Sequence, residues 1–200
     1  MYKIIKRLMD ITLTGLLLIA ILPILIILAI IVELNMGHPF YFTQIRTTKG
    51  ERQFKLIKFR SMTNAKDENG NLLPDEKRRT KFGNMLRATS LDELPELLNI
   101  LKGDMSIIGP RPLLANYTGY YKEEEMPRFK VRGGLIPPEV MHGYDPSWDE
   151  QLKWDADYAE NCTFANDLKI FFSVFVTLFK RNKEHFGAVT RQSLTEERAK

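Results

Sequence analysis

From Ile11 to Val32 the chain runs ITLTGLLLIAILPILIILAIIV without one charged residue. As a straight α-helix this run would measure roughly 33 Å, about the thickness of the hydrocarbon core of a bilayer. It is too long for the apolar stretch of a cleaved leader, and Glu33 to Gly37 (ELNMG) lacks the small residues of a cleavage site. Pro23 sits mid-run, where it removes one helical hydrogen bond and crowds the carbonyl of Ile19, so the pattern predicts a kink or break there. Two topologies follow. A kinked helix can cross the bilayer, with Lys3, Lys6 and Arg7 holding the N-terminus inside and the rest of the chain outside. Alternatively the segment dips in, turns near Pro23 and returns, leaving both flanks on one side.

After the apolar run the period changes. His38 to Gln44 (HPFYFTQ) is short and aromatic, and Gln53 to Met62 (QFKLIKFRSM) alternates as a half-buried strand does, so the turn-forming Arg46 to Glu51 (RTTKGE) predicts a hairpin. Ala65 to Asp75 is polar and centred on Asn69-Gly70-Asn71, which predicts an exposed loop. Leu94, Leu97, Leu98 and Leu101 form a helical stripe within Leu91 to Leu101, and Asp104 to Pro112 reads as an extended segment locked by two prolines. Asp167 to Arg181 (DLKIFFSVFVTLFKR) is apolar over a length that suits an interfacial or core helix rather than a span. The whole predicts a small mixed α/β body with amphipathic helices behind a membrane-embedded N-terminal helix.

Composition narrows the chemistry. Two hundred residues suffice for one compact domain and an appendage. The single cysteine, Cys162, excludes an internal disulfide, and the scattered His38, His142 and His185 exclude a zinc cluster by spacing. The formal charge of +4 suits anionic lipid, nucleotides or nucleic acid equally.

The densest polar constellation is Arg87-Ala-Thr-Ser-Leu-Asp92-Glu93, with basic residues Arg78, Arg79 and Lys81 before it and Arg111 after. Adjacent carboxylates among cations suit magnesium binding or nucleophilic attack on phosphorus. A structural role competes, because Ser90-x-x-Glu93 matches a helix capping box; Pro95 argues against a cap at Ser90 and moves it to Asp92. The basic run is either a solvated face or a phosphate-binding patch. Nucleic acid is disfavoured, since aromatics are not interleaved with the cations. Pro110 and Pro112 confine Arg111, whose guanidinium is well shaped to grip phosphate oxygens.

The run Thr89 to Leu113 (TSLDELPELLNILKGDMSIIGPRPL) resembles the signature of the bacterial sugar transferases, the small monotopic polyprenyl-phosphate phosphoglycosyl transferases. Lys6-Arg7-x-x-Asp10, Phe42-x-Gln44-x-Arg46 and Lys58 to Met62 (KFRSM) are similar to the family's other landmarks, in order. The resemblance covers Met1 to about Arg132 closely. It implies a Pro-broken, re-entrant membrane helix over residues 1–35 and a catalytic domain over residues 36–200, held at the cytoplasmic face of a bacterial inner membrane. It further implies transfer of a sugar 1-phosphate from a UDP-sugar to undecaprenyl phosphate, opening the assembly of a surface glycan. In this reading Asp92 is the nucleophile, forming a covalent phosphosugar with release of UMP, and Glu93 positions or deprotonates the lipid phosphate. Arg87, Arg111 and Lys58 are phosphate ligands, and Mg²⁺ is required, with Asp92 its protein ligand. Membrane lipid is a partner, nucleic acid is not, and self-association is left open. The rival is a non-catalytic bitopic protein whose basic body binds anionic lipid or a protein, with Asp92 a helix cap.

The C-terminal third departs from the family pattern. Where many members carry R-P-G-I-T-G-W-A-Q and then N-G-R, this chain has Arg132 to Glu139 (RGGLIPPE) and His142-Gly143-Tyr144. The Gly/Pro-rich stretch Gly133 to Tyr144 reads as a loop that recognises the donor sugar.

Overall fold

The computed structural model describes residues 2–142, 146–181 and 191–199. Helix α1, Tyr2–Met36, is 35 residues long and runs through Pro23 without interruption. The expected break is therefore absent. Pro23 sits on an exposed face, so its ring is turned away from the body.

One stripe of α1 lies against the rest of the chain. Asp10, Thr14, Val32 and Met36 are buried, and Leu18, Ile21, Leu25, Leu28 and Ala29 between them pack onto the body's core. These positions recur every three or four residues, the spacing of one helical face. The opposite face exposes Ile4, Leu8, Leu16, Ile19, Ile27, Ile30 and Leu34, among others. Each end is fastened to the body. At the start, the Asp10 carboxylate accepts from Ser106 Oγ (2.8 Å) and the Ile107 amide (3.0 Å), while Arg7 donates to the carbonyls of Ile100 and Leu101. At the finish, Val32 and Met36 pack with Phe59 and Leu86. Lys6-Arg7-x-x-Asp10 is thus a docking motif: Arg7 and Asp10 satisfy backbone groups and a hydroxyl at the α4–β3 junction, and Lys6 pairs with the Asp167 carboxylate.

The predicted hairpin is present, with shifted edges. β1 (Tyr41–Thr47) pairs antiparallel with β2 (Gln53–Phe59), placing Phe42 opposite Lys58 and Gln44 opposite Leu56. Pro39 lacks an amide proton, and pairing begins beyond it. Phe54 and Leu56 point to the core, and Lys58 continues the same alternation. The polar loop after β2 carries the short helix α2 (Asp75–Arg78) and leads to α3 (Lys81–Ala88). Gly83 on α3 lies so close to β2's exit that a Cβ there would meet the Ser61 carbonyl oxygen at 2.0 Å. Only glycine permits that approach.

Helix α4 (Glu96–Lys102) buries Leu97 and Ile100 beneath the hairpin. The buried Asn99 locks it there, accepting from the Ile57 amide (3.0 Å) and donating to the Lys55 carbonyl (2.8 Å). β3 (Met105–Ile108) follows and pairs in parallel with β4 (Gly133–Ile136), whose Gly134 abuts Gly109: a Cβ on Gly134 would lie 2.0 Å from the Gly109 nitrogen. Between them two 3₁₀ segments, Ala115–Tyr120 and Glu123–Lys130, cross to α5 (Trp148–Glu160). There Arg128 and Asp155 form a fully buried ion pair at 3.0 Å, and Arg128 also donates to the Arg111 carbonyl. α6 (Phe164–Arg181) buries Ile170 and Asp167 and exposes Phe164, Leu168, Phe171, Phe172 and Phe175. It has the two-faced character expected of an interfacial helix. A last turn, α7 (Leu194–Arg198), returns Arg198 to Glu125.

Candidate active site

Three elements converge on Asp92 and Glu93. Both lie in a 3₁₀ turn, Leu91–Glu93, between α3 and α4. Ser90 before them has φ 55°, in the left-handed region, and makes no side-chain cap. α4 begins only after Pro95, again without a side-chain cap. Neither capping reading holds: a left-handed Ser90 cannot direct its hydroxyl at the turn's amides, and Pro95, already set at helical φ, starts the helix without a donor to satisfy. The two carboxylates are left for other work.

Asp92 is 8% exposed and opens onto a cavity of about 540 Å³. Its walls come from β1, β2 and α3 together with the loop carrying α2, and they present Arg46, Lys58, Arg60, Arg78 and Arg87. Burial raises the Asp92 carboxyl above its ordinary range; Lys58 opposes that shift, Glu93 adds to it and Arg87 opposes it. Arg87 is oriented by Ser61, whose Oγ accepts from its Nε at 2.8 Å.

Lys58 is the keystone of the site. Its Nζ donates to Glu93 Oε1 at 2.7 Å and lies 3.1 Å from Glu96 Oε1. The clamp of Asn99 on β2 holds the strand over α4 and so puts Lys58 opposite these two acids. Glu96 has a side chain only 5% exposed, and burial pushes its pKa up to about 6 against the pull of Lys58. A second, smaller cavity adjoins the first across Lys58 and Glu93 and is lined by Arg46, Glu96, Arg111, Gly134 and Leu135. Arg111 sits at its edge, its Nε donating to Glu139 Oε1 at 3.0 Å.

The five residues singled out by sequence therefore gather in two adjoining cavities, Asp92 and Arg87 in the larger, Arg111 in the smaller and Lys58 and Glu93 in both. Sequence reasoning missed Glu96, which the Leu stripe disguised as a helix surface position, although its spacing three residues beyond Glu93 could have placed both acids on one side. It also left Arg46 and Arg60 without a role, and Arg78 undecided between a solvated face and a phosphate-binding patch. Arg46 is held by Gln44 and the Pro112 carbonyl, but its buried Nε has no partner. Burial lowers the pKa of Arg46 and neighbouring Arg111 lowers it further; Arg60 is lowered by burial and by Arg78. Two crowded pairs of guanidinium groups facing open space form an environment that an anion relieves.

The stretch expected to be a donor loop is in part a strand. Gly133 and Gly134 are buried in β4, a Cβ on Gly133 would meet Pro112 Cγ at 2.6 Å, and Pro138–Met141 is a 3₁₀ turn. The glycines are there for packing against the Gly109 to Pro112 corner. Gly143 and Tyr144 lie outside the described residues.

Among the described residues no group of three His, Cys, Asp or Glu is arranged to hold a metal ion. Mg²⁺, which commonly takes only one or two carboxylates and completes its shell with phosphate oxygens and water, would have Asp92 as its protein ligand here.

The bacterial sugar transferase family model matches residues 1–181. The uncharacterized sugar transferase EpsL of Bacillus subtilis is 43% identical over 194 residues, 96% of each chain. The UDP-glucose:undecaprenyl-phosphate glucose-1-phosphate transferase of Klebsiella pneumoniae is 35% identical over 88% of this chain, which spans only 39% of that longer protein. A putative undecaprenyl-phosphate N-acetylgalactosaminyl 1-phosphate transferase of Bacillus subtilis is 37% identical, over 78% of this chain and 81% of its own. By the extent of these matches, the chain belongs to the bacterial sugar transferase family.

Proposed function

We propose that this chain transfers a sugar 1-phosphate from a UDP-sugar to undecaprenyl phosphate through a phosphosugar carried on Asp92. The observation that carries the reading is the Asp92 carboxylate, nearly buried at a cavity whose walls also present Arg46, Lys58, Arg60, Arg78 and Arg87. A carboxylate nucleophile and a diphosphate repel one another unless cations screen both, and this cavity places the cations around the one point where they must meet.

In the first half-reaction an Asp92 oxygen attacks the phosphorus bearing the sugar. The P–O bond to UMP breaks, UMP leaves with the electron pair, and a mixed acyl–phosphate ester of Asp92 remains. Arg87, Arg46 and Lys58 would face the charge that develops on the departing phosphate. In the second half-reaction an oxygen of undecaprenyl phosphate attacks the same phosphorus, the acyl oxygen–phosphorus bond breaks, and the Asp92 carboxylate is regenerated. Glu93, held by Lys58, is placed to accept a proton from or orient the incoming lipid phosphate. Mg²⁺ held by Asp92 together with the diphosphate would supply charge neutralisation. The segment around Gly134, Leu135 and Glu139 reaches the smaller cavity, where it is placed to choose the sugar. Exchanging residues 133–144 for the more usual family sequence should shift donor preference, and an unchanged donor profile would remove this segment from specificity.

The helix packing supports a monotopic seat. α1 spans ~52 Å by its residue count, yet both of its ends are fastened to one body. A helix crossing a bilayer with the body on one side cannot do this; a helix lying in one leaflet, with its exposed apolar face and that of α6 in lipid, can. The body then faces the cytoplasm, where UDP-sugars are made. The decisive experiment is UMP release by purified protein with Mg²⁺, undecaprenyl phosphate and a panel of UDP-sugars. The reading expects release that Asp92→Asn abolishes. Release that survives the substitution would remove Asp92 as nucleophile. Tags on the two termini should both be reached from the cytoplasm, whereas a bitopic protein would separate them.

A further inference from the structure

A second cationic recess lies at the opposite end of α4 from Asp92 and shares no lining residue with either active-site cavity. Lys3, Lys6, Arg7, Lys49, Lys130 and Arg132 line it. Its carboxylate, Asp10, is already committed to Ser106 and Ile107. Three of the cations have local partners: Lys6 pairs with Asp167, Arg7 with the last carbonyls of α4, and Lys130 with Glu160 in an exposed pair. Among the described residues the side chains of Lys3 and Lys49 have no hydrogen-bond or ion-pair partner, and the Arg132 side chain is bound only through Nε, to the Gly103 carbonyl at 2.9 Å. Arg132 is also crowded, with burial first and then Arg7 depressing its pKa. The site therefore holds positive charge in excess of any acid that faces it.

Its position names the source of the missing anion. On one side begins the exposed apolar face of α1, with Ile4, Ile5 and Leu8; on the other begins that of α6, whose Phe164 ring packs edge-on to Tyr2 with centroids 6.4 Å apart. In the membrane seat proposed above, the recess would sit between two surfaces that seek lipid, at the level of the headgroups. We propose that it binds the headgroup phosphate of an anionic phospholipid, through Lys3, Lys49 and the free guanidinium nitrogens of Arg132. Bound there, one lipid bridges α1 to the loop between β1 and β2 and to the start of β4, and so stiffens the junction through which α4 carries Glu96. This inference rests on the membrane seat proposed above but not on the chemistry at Asp92.

The test uses the full chain in detergent, read by native mass spectrometry with dioleoyl-phosphatidylglycerol or dioleoyl-phosphatidylcholine added separately, and with inorganic phosphate added in competition with the phosphatidylglycerol. Phosphatidylglycerol should be retained in preference to phosphatidylcholine, and Lys3→Glu/Lys49→Glu should weaken that retention roughly thirtyfold or more, the size expected for two basic residues at an anionic surface. A control pair, Lys66→Glu/Lys77→Glu, on the exposed loop and α2, should leave it intact. Equal retention of the two lipids, or a preference that the Lys3/Lys49 pair does not change, would overturn the proposal. Binding of inorganic phosphate that displaces the lipid fully at millimolar concentration would reassign the recess to a soluble anion. None of these outcomes depends on turnover, so failure here and failure of the transferase reading are separately visible.

Discussion

Removing the Lys58 ammonium, as in Lys58→Met, leaves Glu96 almost buried and without its counter-charge, and leaves Glu93 beside it. Breaking a buried ion pair by truncating one partner costs about 3–5 kcal/mol, and an exposed pair about 1 or less. Lys58 is 21% exposed, with Glu93 at 24% and Glu96 at 5%, so the Glu96 side dominates and a loss of about 2–4 kcal/mol is expected. For a chain of this length that corresponds to a drop in melting temperature of roughly 4–15 °C in detergent. The pH dependence supplies the discriminating sign. Glu96 has a folded pKa of about 6, above its ordinary value of 4.5, so the folded state holds this proton more tightly than the unfolded one. Its charge is therefore a cost that is absent below pH ~4.5 and accumulates to about 2 kcal/mol as pH rises through 6. Without Lys58 the folded pKa climbs further and the cost keeps growing to higher pH, so the deficit of Lys58→Met should be small at pH 5 and large at pH 8. Adding Glu96→Gln should restore most of it, because an amide needs no counter-charge. A deficit under about 0.5 kcal/mol at pH 8, or one that Glu96→Gln does not rescue, would refute the keystone role of Lys58.

Three further outcomes follow from the packing. Glu96→Gln alone, in an otherwise unchanged chain, should flatten the decline in stability between pH 4.5 and 6, read by thermal unfolding across that range. Asp10→Ala should lose about 2–4 kcal/mol, since it orphans the buried Ser106 Oγ and the half-buried Ile107 amide and unfastens the start of α1; limited proteolysis should then cut near α1 faster than in the parent chain. Gly134→Ala, with its Cβ 2.0 Å from a backbone nitrogen, should cost more than about 2 kcal/mol and lower expression, whereas Gly119→Ala, with open space around it, should be near neutral.

What the sequence reveals, and what it hides, divides along physical lines. The hairpin was legible because both strands alternate over a half-buried face and a short turn joins them. Asp92, Glu93 and Arg87 stood out because acidic and basic side chains cluster around one turn, Arg111 because two prolines confine it, and Lys58 only through the resemblance to a family. The docking of α1 was not, because periodicity is invisible in a run whose every face is apolar; the buried stripe from Asp10 to Met36 emerges only against the body's surface. The pairing of β3 with β4 was hidden too, joining residues far apart in sequence through glycines that looked like turn formers. The cap expected at Asp92 is absent because a capping pattern says nothing of the backbone state: Ser90 turns left-handed, Asp92 lies inside the 3₁₀ turn, and α4 starts only after Pro95. Glu96 escaped notice since its importance arises from Lys58, which reaches it from another element.

The central claim is that Asp92 carries the phosphosugar. Intact-protein mass spectrometry after brief incubation with Mg²⁺ and the accepted UDP-sugar, without undecaprenyl phosphate, tests it most directly. A mass increase equal to one sugar phosphate, mapped to the peptide containing Asp92, absent in Asp92→Asn and discharged on adding undecaprenyl phosphate, is the predicted result. UMP release under turnover with no adduct on the protein, or an adduct mapped to another residue, would contradict it.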